Sequence, residues 1–162
     1  MADYTAPVVL CLLRHGDAVL LIEGGWRKRW AGKLQGVGGG VKRGEDPLAA
    51  AVREIEEETG LRLSVRQLRL KGVIHSQNWY GQSKVMLIVV ARAPHRRVRG
   101  NDEGTLRWVR LSTLAGVPNL VPDLYQLIPR ALALRRGEVL TGVARHDGLG
   151  RLRSLTLQTV RS

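Results

Sequence analysis

The sequence predicts an α/β (α+β) fold in which strands form one sheet and helices pack on both of its faces. Residues 46–60 carry the end signals and the apolar spacing of an amphipathic helix. Several short apolar runs bounded by turn residues are typical of strands. A second helical pattern follows at residues 123–136. Two amphipathic helices and a set of strands therefore suit a layered domain.

The first strands are predicted to form a hairpin. Residues 8–13 and 18–22 are apolar, and His15-Gly16-Asp17 between them has a turn composition. Residues 23–33 are largely polar and include two tryptophans, so we expect a loop there. Residues 35–41 are expected to form a short strand and a glycine turn that leads into the first helix.

The first helix has well-defined ends. Asp46 can cap its first turn, Pro47 occupies a position where a missing N–H costs nothing, and Gly60 suits a left-handed stop. Four apolar residues fall at positions i, i+3, i+4 and i+7 and are expected to face the sheet. They are Leu48, Ala51, Val52 and Ile55.

Further strands are predicted in the middle of the chain. Residues 63–74 and 84–91 have strand patterns, and the second run is nearly all apolar, which favours a central position in the sheet. Residues 92–101 form a basic loop. Residues 105–111 are predicted to be another strand, and Ser112 is expected to cap a short turn after it.

The last third of the chain is predicted to contain one helix and one hairpin. The helix spans residues 123–136, is interrupted at Pro129, and stops at Gly137. Residues 139–143 and 152–157 are expected to pair as a final hairpin.

Three glutamates of the first helix break two local rules. Glu54, Glu57 and Glu58 lie at i, i+3 and i+4, where like charges repel. Glu57 and Glu58 also occupy the last turn, at the negative end of the helix dipole. A hard divalent cation compensates such a cluster, so the pattern predicts a Mg²⁺ site facing a phosphorylated substrate. The alternative is a solvated acidic face in which Arg53 pairs with Glu57.

Residues 39–61 resemble, at every defined position, the signature of the Nudix (MutT-type) hydrolases. The matching residues are Gly39, Glu45, Arg53-Glu54-Ile55, Glu57-Glu58 and Gly60-Leu61. The resemblance implies an α/β/α sandwich around a mixed sheet. It also implies dependence on Mg²⁺ or Mn²⁺, and attack of water on a phosphorus atom of a diphosphate linkage.

The resemblance implies roles for individual residues of this segment. Three positions correspond to metal ligands of the family: Glu54, Glu57 and Glu58. Arg53 corresponds to the residue that orients a glutamate by charge-assisted hydrogen bonds, and we count it with Glu57 as catalytic. Gly39 shapes the loop before the helix, and Glu45 is a further metal contact.

A turn at residues 101–104 is expected to bring an acid to the site from the opposite side. Glu103 resembles the loop acid that binds metal or acts as general base in many Nudix enzymes, with Asp102 in reserve. A general base must lie within hydrogen-bond reach of the attacking water. The alternative for Asp-Glu-Gly is an ordinary acidic turn.

The resemblance extends to the oxidised-purine nucleoside triphosphatases, the 8-oxo-dGTP diphosphatase branch of the family. Gln35 corresponds to an amide that contacts the base. Val121-Pro122-Asp123 corresponds to a Trp-Pro-Asp segment that holds it, so Asp123 is a candidate reader of the purine edge. Gly38 and Gly39 permit close backbone approach to a phosphate. The favoured alternative for Asp123 is an N-cap on the second helix.

Two positions depart from that branch. Val121 replaces a tryptophan that stacks on the base, and Leu124 replaces a second base-reading aspartate. Loss of an aromatic platform weakens stacking by about 1–3 kcal/mol, so another ring is expected to substitute. The candidates are Trp26, Trp30, Trp79 and Tyr80. The four histidines show no ligand spacing, and no chemistry is assigned to them.

Length, cysteine content and charge limit the remaining possibilities. Residues 1–162 are expected to form a single domain. Cys11 is the only cysteine, which excludes a disulfide framework and predicts a buried thiol. The apolar N-terminal run is too short for a signal peptide or a membrane span, so we expect a cytoplasmic protein with no membrane contact. The formal net charge of +12 favours a polyanionic partner.

These patterns predict a Mg²⁺-dependent pyrophosphohydrolase that converts a purine nucleoside triphosphate or 8-oxo-dGTP to the monophosphate and pyrophosphate. Two alternatives keep the chemistry and change the substrate to an RNA 5′ triphosphate end or a dinucleoside polyphosphate. Nucleic acid is the less favoured partner. An alternative of another class is a catalytically silent module that binds a nucleotide or nucleic acid, against which the mutually repelling glutamates argue. The oligomeric state is left open.

Overall fold

The computed structural model describes residues 5–25, 28 and 30–161, and eight strands in these residues form one mixed sheet. The strands are β1 (Thr5–His15), β2 (Ala18–Gly24), β3 (Leu34–Gly40), β4 (Arg69–Trp79), β5 (Gln82–Arg92), β6 (Gly104–Arg110), β7 (Glu138–His146) and β8 (Leu152–Arg161). Their order across the sheet is β6-β2-β3-β1-β5-β4-β7-β8. The β1–β5 and β4–β7 pairs are parallel, and the other pairs are antiparallel.

Two α-helices cover opposite faces of this sheet, which confirms the predicted fold class. They are α1 (Pro47–Thr59), which packs on β1, β3 and β5, and α2 (Leu124–Leu132), which packs on β5 and β7. Alternate residues of β1 enter the two cores, as the twofold period of a strand requires. Val9, Cys11 and Leu13 lie in the core under α1, and Leu10 and Leu12 lie in the core under α2.

α1 begins and ends where the sequence predicts. The Asp46 carboxylate accepts hydrogen bonds from two N–H groups of the first turn, at 2.9 and 3.3 Å. Gly60 ends the helix in the left-handed conformation, with φ of 76°. The predicted apolar stripe faces the sheet, and Ala51 and Ile55 within it are fully buried. These contacts fix the rotation of the helix and therefore the direction of its glutamates.

α2 differs from its prediction in two ways. It continues through Pro129 instead of being interrupted there, and it ends at Leu132, before the predicted stop at Gly137. Proline removes one helical hydrogen bond. Burial of Leu127 and Ile128 on the sheet offsets this loss, since both side chains are fully buried.

Two other local predictions are wrong. The strand predicted from residue 63 begins only at Arg69, because Ser64 and Gln67 form a capping box around a 3₁₀ turn at Val65–Gln67. Ser112 does not cap the turn after β6, which is a 3₁₀ helix at Leu111–Gly116 without a side-chain cap.

Both predicted hairpins are present, with different extents. The first pairs β1 with β2 only beside its turn, at Arg14↔Val19 and His15↔Ala18, and β1 then runs between β3 and β5. The second, β7–β8, is longer than predicted. Neither α1 nor α2 is long and apolar enough to cross a membrane, and no other helix in the described part of the chain is either.

Candidate active site

Arg53 cross-links the acidic end of α1 to the loop before it. Its Nε and Nη2 donate to the two carboxylate oxygens of Glu45 at 2.8 and 2.9 Å, and this pairing lowers the pKa of Glu45 to about 2. Its Nη1 donates to Glu54 at 2.9 Å and to Glu57 at 3.3 Å, while Nη2 reaches the Gly40 carbonyl oxygen at 3.0 Å. Glu45, expected as a metal contact, therefore has both oxygens bonded to Arg53 in this structure.

Glu58 is the most deeply buried carboxyl group of the cluster. The residue is 3% exposed, and its Oε2 accepts a hydrogen bond from the Gly38 N–H at 3.3 Å. Burial raises the pKa of Glu58 to about 9; the Gly38 hydrogen bond opposes this, and the charges of Glu54 and Glu103 add to it. A carboxyl group with these surroundings holds its proton at neutral pH.

The glycines before α1 allow the helix to approach the loop closely. A Cβ atom at Gly39 would lie 2.5 Å from Glu54 Oε1, closer than two atoms can pack. Gly38 has a φ of 149°, and a Cβ there would collide with the carbonyl oxygen of Val9. A larger residue at either position would displace the carboxylates or the strand beneath them.

Glu103 is placed next to the α1 carboxylates by a network around the loop that precedes β6. Asn101 accepts from the Glu103 N–H at 2.9 Å and donates to the carbonyl oxygen of Glu57 at 3.0 Å. Lys28 Nζ lies 3.4 Å from Glu103 Oε2. Asp102 and Glu103 are both exposed, but Glu103 is near enough for its charge to raise the pKa of Glu58.

The predicted metal ligands lie close together without forming a closed cage. Glu54 and Glu103 each lie within electrostatic range of Glu58, and the half-exposed Glu57 side chain pairs with Arg53. Within the residues that the structure describes, no three His, Cys, Asp or Glu side chains surround a position for an ion. The arrangement offers adjacent carboxylate oxygens on one surface.

A cleft of about 240 Å³ lies beside these carboxylates. Its walls include the ends of β1, β3, β4 and β5 and the segment before α2, and they carry two lysines, Lys28 and Lys84. Several predicted site residues line this cleft: Gln35, Gly38, Gly39, Glu58, Glu103 and Asp123. Clefts that enclose a whole drug-sized ligand are larger, so this one suits part of a nucleotide.

Of the three candidate rings that the structure describes, two reach the cleft. Trp30 and Trp79 line it together with Val121. Lys84 Nζ lies 4.5 Å from the centre of the Trp79 ring. Tyr80 instead packs edge-on against Trp79, with 4.9 Å between ring centroids. The fourth candidate, Trp26, lies outside the described residues.

Asp123 does not cap α2 with its side chain, so the favoured alternative for this residue is wrong. Its backbone is already helical, with φ of −66° and ψ of −23°, whereas a capping residue is extended. The residue is 5% exposed, and Oδ1 has no hydrogen-bond partner among the described residues. Burial raises the pKa of Asp123, and a positive charge on His146 opposes that rise. A buried oxygen without a partner is costly, so this position in a cleft wall is available to a ligand or a water molecule.

His146 is a buried polar residue that the sequence reasoning missed. It lies on the same face of β7 as Leu140 and Ala144, which belong to the core under α2. Its Nδ1 lies 3.1 Å from the Gln77 carbonyl oxygen, and its Nε2 is buried without a partner. His146 follows Leu140 and Ala144 in the alternation of β7, and this spacing could have identified it as a buried residue.

Family comparison agrees with the geometry. A model of the NUDIX domain matches residues 4–131 of the chain. The match contains α1, the glycine loop, Glu103 and Asp123, whereas β7 and β8 follow it.

Several solved structures share this fold. A mutator MutT protein from Bacillus halodurans is 22% identical, with a TM-score of 0.75 over 94% of this chain and 97% of that one. A MutT protein from Methanosarcina mazei Go1 is 20% identical, with a TM-score of 0.71 over 81% and 95%. A bifunctional NMN adenylyltransferase/ADP-ribose pyrophosphatase from Francisella tularensis, complexed with AMP and a manganese ion, is 19% identical, with a TM-score of 0.70 over 81% and 42%. At these identities the likeness establishes the fold.

Proposed function

The chain belongs to the Nudix family of hydrolases, and we propose that it is a divalent-cation-dependent nucleoside triphosphate pyrophosphohydrolase. The reaction would release a nucleoside monophosphate and pyrophosphate from a purine nucleotide, with 8-oxo-dGTP as a candidate. One observation carries the proposal. The buried Glu58 of α1 and Asp123, whose buried Oδ1 has no hydrogen-bond partner among the described residues, line a single cleft.

The donor set fits a hard divalent cation. Four side chains would hold it: Glu54, Glu57, Glu58 and Glu103. They offer only carboxylate oxygens, which suit Mg²⁺ and also Mn²⁺. A positive charge beside Glu58 would counter the burial and the neighbouring charges that raise the pKa of this group, and it would release the proton held there. A bound cation would neutralise phosphate charge and lower the pKa of a bound water.

Residues of the chain itself would position the substrate and the water. Gly38 and Gly39 would admit the polyphosphate close to the backbone. Arg53, held by Glu45 at 2.8 Å, would keep the α1 carboxylates in fixed orientations. Glu103 is the proposed general base, because it lines the same cleft as Glu58 and its charge reaches that group, so an attacking water there would lie within hydrogen-bond reach.

The base is proposed to bind at the Asp123 end of the cleft. Asp123 would pair with the edge of the purine, which gives its buried Oδ1 a partner. Gln35 would supply a second polar contact from β3. Trp30 and Trp79 would provide the stacking surface that Val121 lacks.

The charge of the chain supports an anionic substrate, and its cysteine content supports a cytoplasmic location. The formal net charge of +12 attracts an anionic substrate, and Lys28 and Lys84 place part of it at the cleft. The proposal treats residues 1–162 as one cytoplasmic domain, where a reducing environment suits a single free cysteine, Cys11.

A substrate panel with product identification tests the proposal. The protein would be assayed with Mg²⁺ or Mn²⁺ against the four dNTPs, 8-oxo-dGTP, a dinucleoside polyphosphate and 5′-triphosphorylated RNA. We expect the highest kcat/KM for a purine nucleotide, with monophosphate and pyrophosphate as products. Activity confined to RNA or to the dinucleoside compound would replace the proposed substrate. Absence of all hydrolysis would contradict the proposed function.

A further inference from the structure

A hollow of about 540 Å³ lies at the end of β1 and β5 that is opposite the cleft. The residues that line this distal hollow are Arg14, His15, Gly16, Arg92 and Ala93. The cleft is lined by earlier residues of the same two parallel strands, among them Val8 and Lys84. The stretch from Val8 to Arg14 spans about 20 Å at the rise of an extended strand. The distal hollow is therefore separate from the proposed active site.

Two arginines lie side by side in the distal hollow. Arg14 of β1 is the register partner of Arg92 of β5. They follow Leu12 and Val90 of the core under α2 by two positions, so both side chains leave the sheet on the same face. Like charges that face each other on neighbouring strands destabilise a sheet. An anion bound between the two arginines would remove this repulsion.

Both guanidinium groups retain donors for a ligand. Arg14 donates from Nε to the Gly16 carbonyl oxygen at 2.8 Å, and its terminal nitrogens have no partner among the described residues. Arg92 is exposed and forms no hydrogen bond or ion pair with any residue that the structure describes. The bond to Gly16 holds the Arg14 side chain against the turn while its other N–H groups stay available.

Backbone bonds join the two walls of the distal hollow. The Ala93 N–H donates to the Arg14 carbonyl oxygen at 2.8 Å, which continues the pairing of β1 and β5 beyond the last residue of β5. Nδ1 of His15 lies 3.0 Å from the Ala93 carbonyl oxygen. Because these bonds connect the strand ends, the two arginine backbones are held at a fixed spacing before any ligand binds.

The charged groups around the distal hollow leave it positive. Asp17, in the turn after β1, pairs with Arg96 at 3.1 Å and lies 3.9 Å from Arg110 Nε. Arg96 also reaches the hollow, because a Cβ atom at Gly16 would lie 3.8 Å from its Nη2. Residues 59–101 contain no acidic residue. Among the described residues, four arginines and one carboxylate therefore meet at this end of the sheet.

We infer that the distal hollow is a second anion site, in which Arg14 and Arg92 bind a phosphate group away from the cleft. A guanidinium group donates two parallel N–H bonds to phosphate oxygens, and two such groups suit an anion with oxygens on several sides. A carboxylate has too few oxygens to satisfy both. The phosphate can belong to a free phosphate compound or to the backbone of a nucleic acid. This site does not require the hydrolysis proposed for the cleft.

Backbone NMR of the full chain, titrated with inorganic phosphate, tests the site directly. We expect the amide signals of Gly16 and Ala93 to shift and to saturate in the millimolar range. In Arg14→Gln/Arg92→Gln the affinity read from these signals should fall about tenfold, because both guanidinium groups are removed. The matched control is Arg145→Gln/Arg153→Gln, which removes the same charge from exposed positions of the C-terminal hairpin. Equal affinity in the wild type and in Arg14→Gln/Arg92→Gln would overturn the inference.

Arg92→Gln alone keeps the test available if the double variant does not fold. Its side chain has no described partner to lose, and the phosphate affinity should still fall about fivefold. Hydrolysis of nucleotides should proceed in either folded variant with wild-type kcat/KM, because the distal hollow lies away from the cleft. A folded variant that loses both phosphate binding and hydrolysis would show that the hollow belongs to the active site, which would overturn a second site.

Two further ligands identify the source of the phosphate: pyrophosphate, and a single-stranded oligonucleotide of about twelve nucleotides without a 5′ phosphate. If the source is nucleic acid, the oligonucleotide binds more tightly, and the slope of log affinity against log salt falls by about two in Arg14→Gln/Arg92→Gln. If the source is a free phosphate compound, pyrophosphate binds more tightly and depends on the same two arginines. Binding of both ligands that is unchanged in the double variant would overturn the inference.

Discussion

The two ends of the cleft differ in how their buried polar groups are bonded. At the α1 end, Arg53 joins three glutamates and the loop, and Gly38 donates to Glu58. At the base end, Asp123 Oδ1 is buried without a hydrogen-bond partner among the described residues. At the α1 end the polar groups are bonded to other groups of the protein. At the base end one buried oxygen remains free to bond a ligand.

From this difference we expect the α1 end to determine the rate of the chemical step and the base end to determine which nucleotide is preferred. Changes at the α1 end should reduce turnover of every substrate, because they affect the groups that we propose to act on the phosphates. Changes at the base end should alter which nucleotide is preferred and leave the chemical step largely intact. The following variants test that separation.

The largest effect is expected for Glu57→Gln, which removes a proposed metal ligand and preserves the shape of the side chain. kcat should fall by about 10³-fold for every nucleotide, because charge stabilisation of the transition state is lost. Glu56→Gln is the matched control, since Glu56 is adjacent, half-exposed and paired only with the exposed Arg62 at 3.1 Å. Turnover rates of the two variants provide the measurement. Equal activity of the two would contradict the assignment of Glu57.

A smaller loss is expected for Gly39→Ala. The new methyl group would lie 2.5 Å from Glu54 Oε1, so the carboxylate or the loop must shift. A displacement of that kind costs about 10²-fold in kcat/KM. Gly116→Ala, where a Cβ meets open space, is the control and should retain wild-type kinetics. A Gly39→Ala enzyme with full activity would show that the close approach is not needed.

Asp123→Asn is expected to act on selectivity. KM for purine nucleotides should rise about tenfold, because a buried carboxylate contact is replaced by an amide, while kcat is retained. Pyrimidine nucleotides should be affected less. Asp17→Asn, in the β1–β2 turn and paired with Arg96, is the control. A uniform fall in kcat for all substrates would place Asp123 in the chemical step instead.

The smallest effect concerns stability. The pKa of Glu58 is about 9 in the folded chain, against about 4.3 in an unfolded one. Between these values the folded chain keeps a proton that the unfolded chain releases, so the free energy of unfolding falls as pH rises, by at most about 1.4 kcal/mol per unit. Above the folded pKa the trend ends.

Urea denaturation with a chelator between pH 6 and 8 measures that slope. Glu58→Gln has no such proton to keep and should show a flatter dependence, whereas Glu56→Gln should retain the wild-type slope. Identical slopes in the wild type and Glu58→Gln would show that Glu58 is ionised in the folded protein.

The same contrast explains what the sequence could predict. α1 follows from signals that lie within 15 residues of one another, because Asp46, Pro47 and Gly60 act locally. Asp123 was expected to cap its helix, which is the local interpretation, but the fold places it in a helical conformation with its side chain buried at the cleft. The burial of His146 depends on the pairing of β7 with β4 and on the packing of α2, and no short segment of the sequence specifies either.

Pro129 illustrates the same limit within one helix. Its propensity predicts an interruption, and tertiary burial of the neighbouring Leu127 and Ile128 keeps the helix continuous. Tertiary packing of a buried helix face therefore outweighs the local helix propensity of a single residue.

A crystal structure of the protein with Mn²⁺ and a nonhydrolysable purine nucleotide tests the central claim most directly. We predict an anomalous manganese peak within bonding distance of oxygens from Glu54, Glu57 and Glu58, with the polyphosphate against it and the base at Asp123. A nucleotide bound in the cleft with no cation at these glutamates, or a cation held elsewhere, would contradict it.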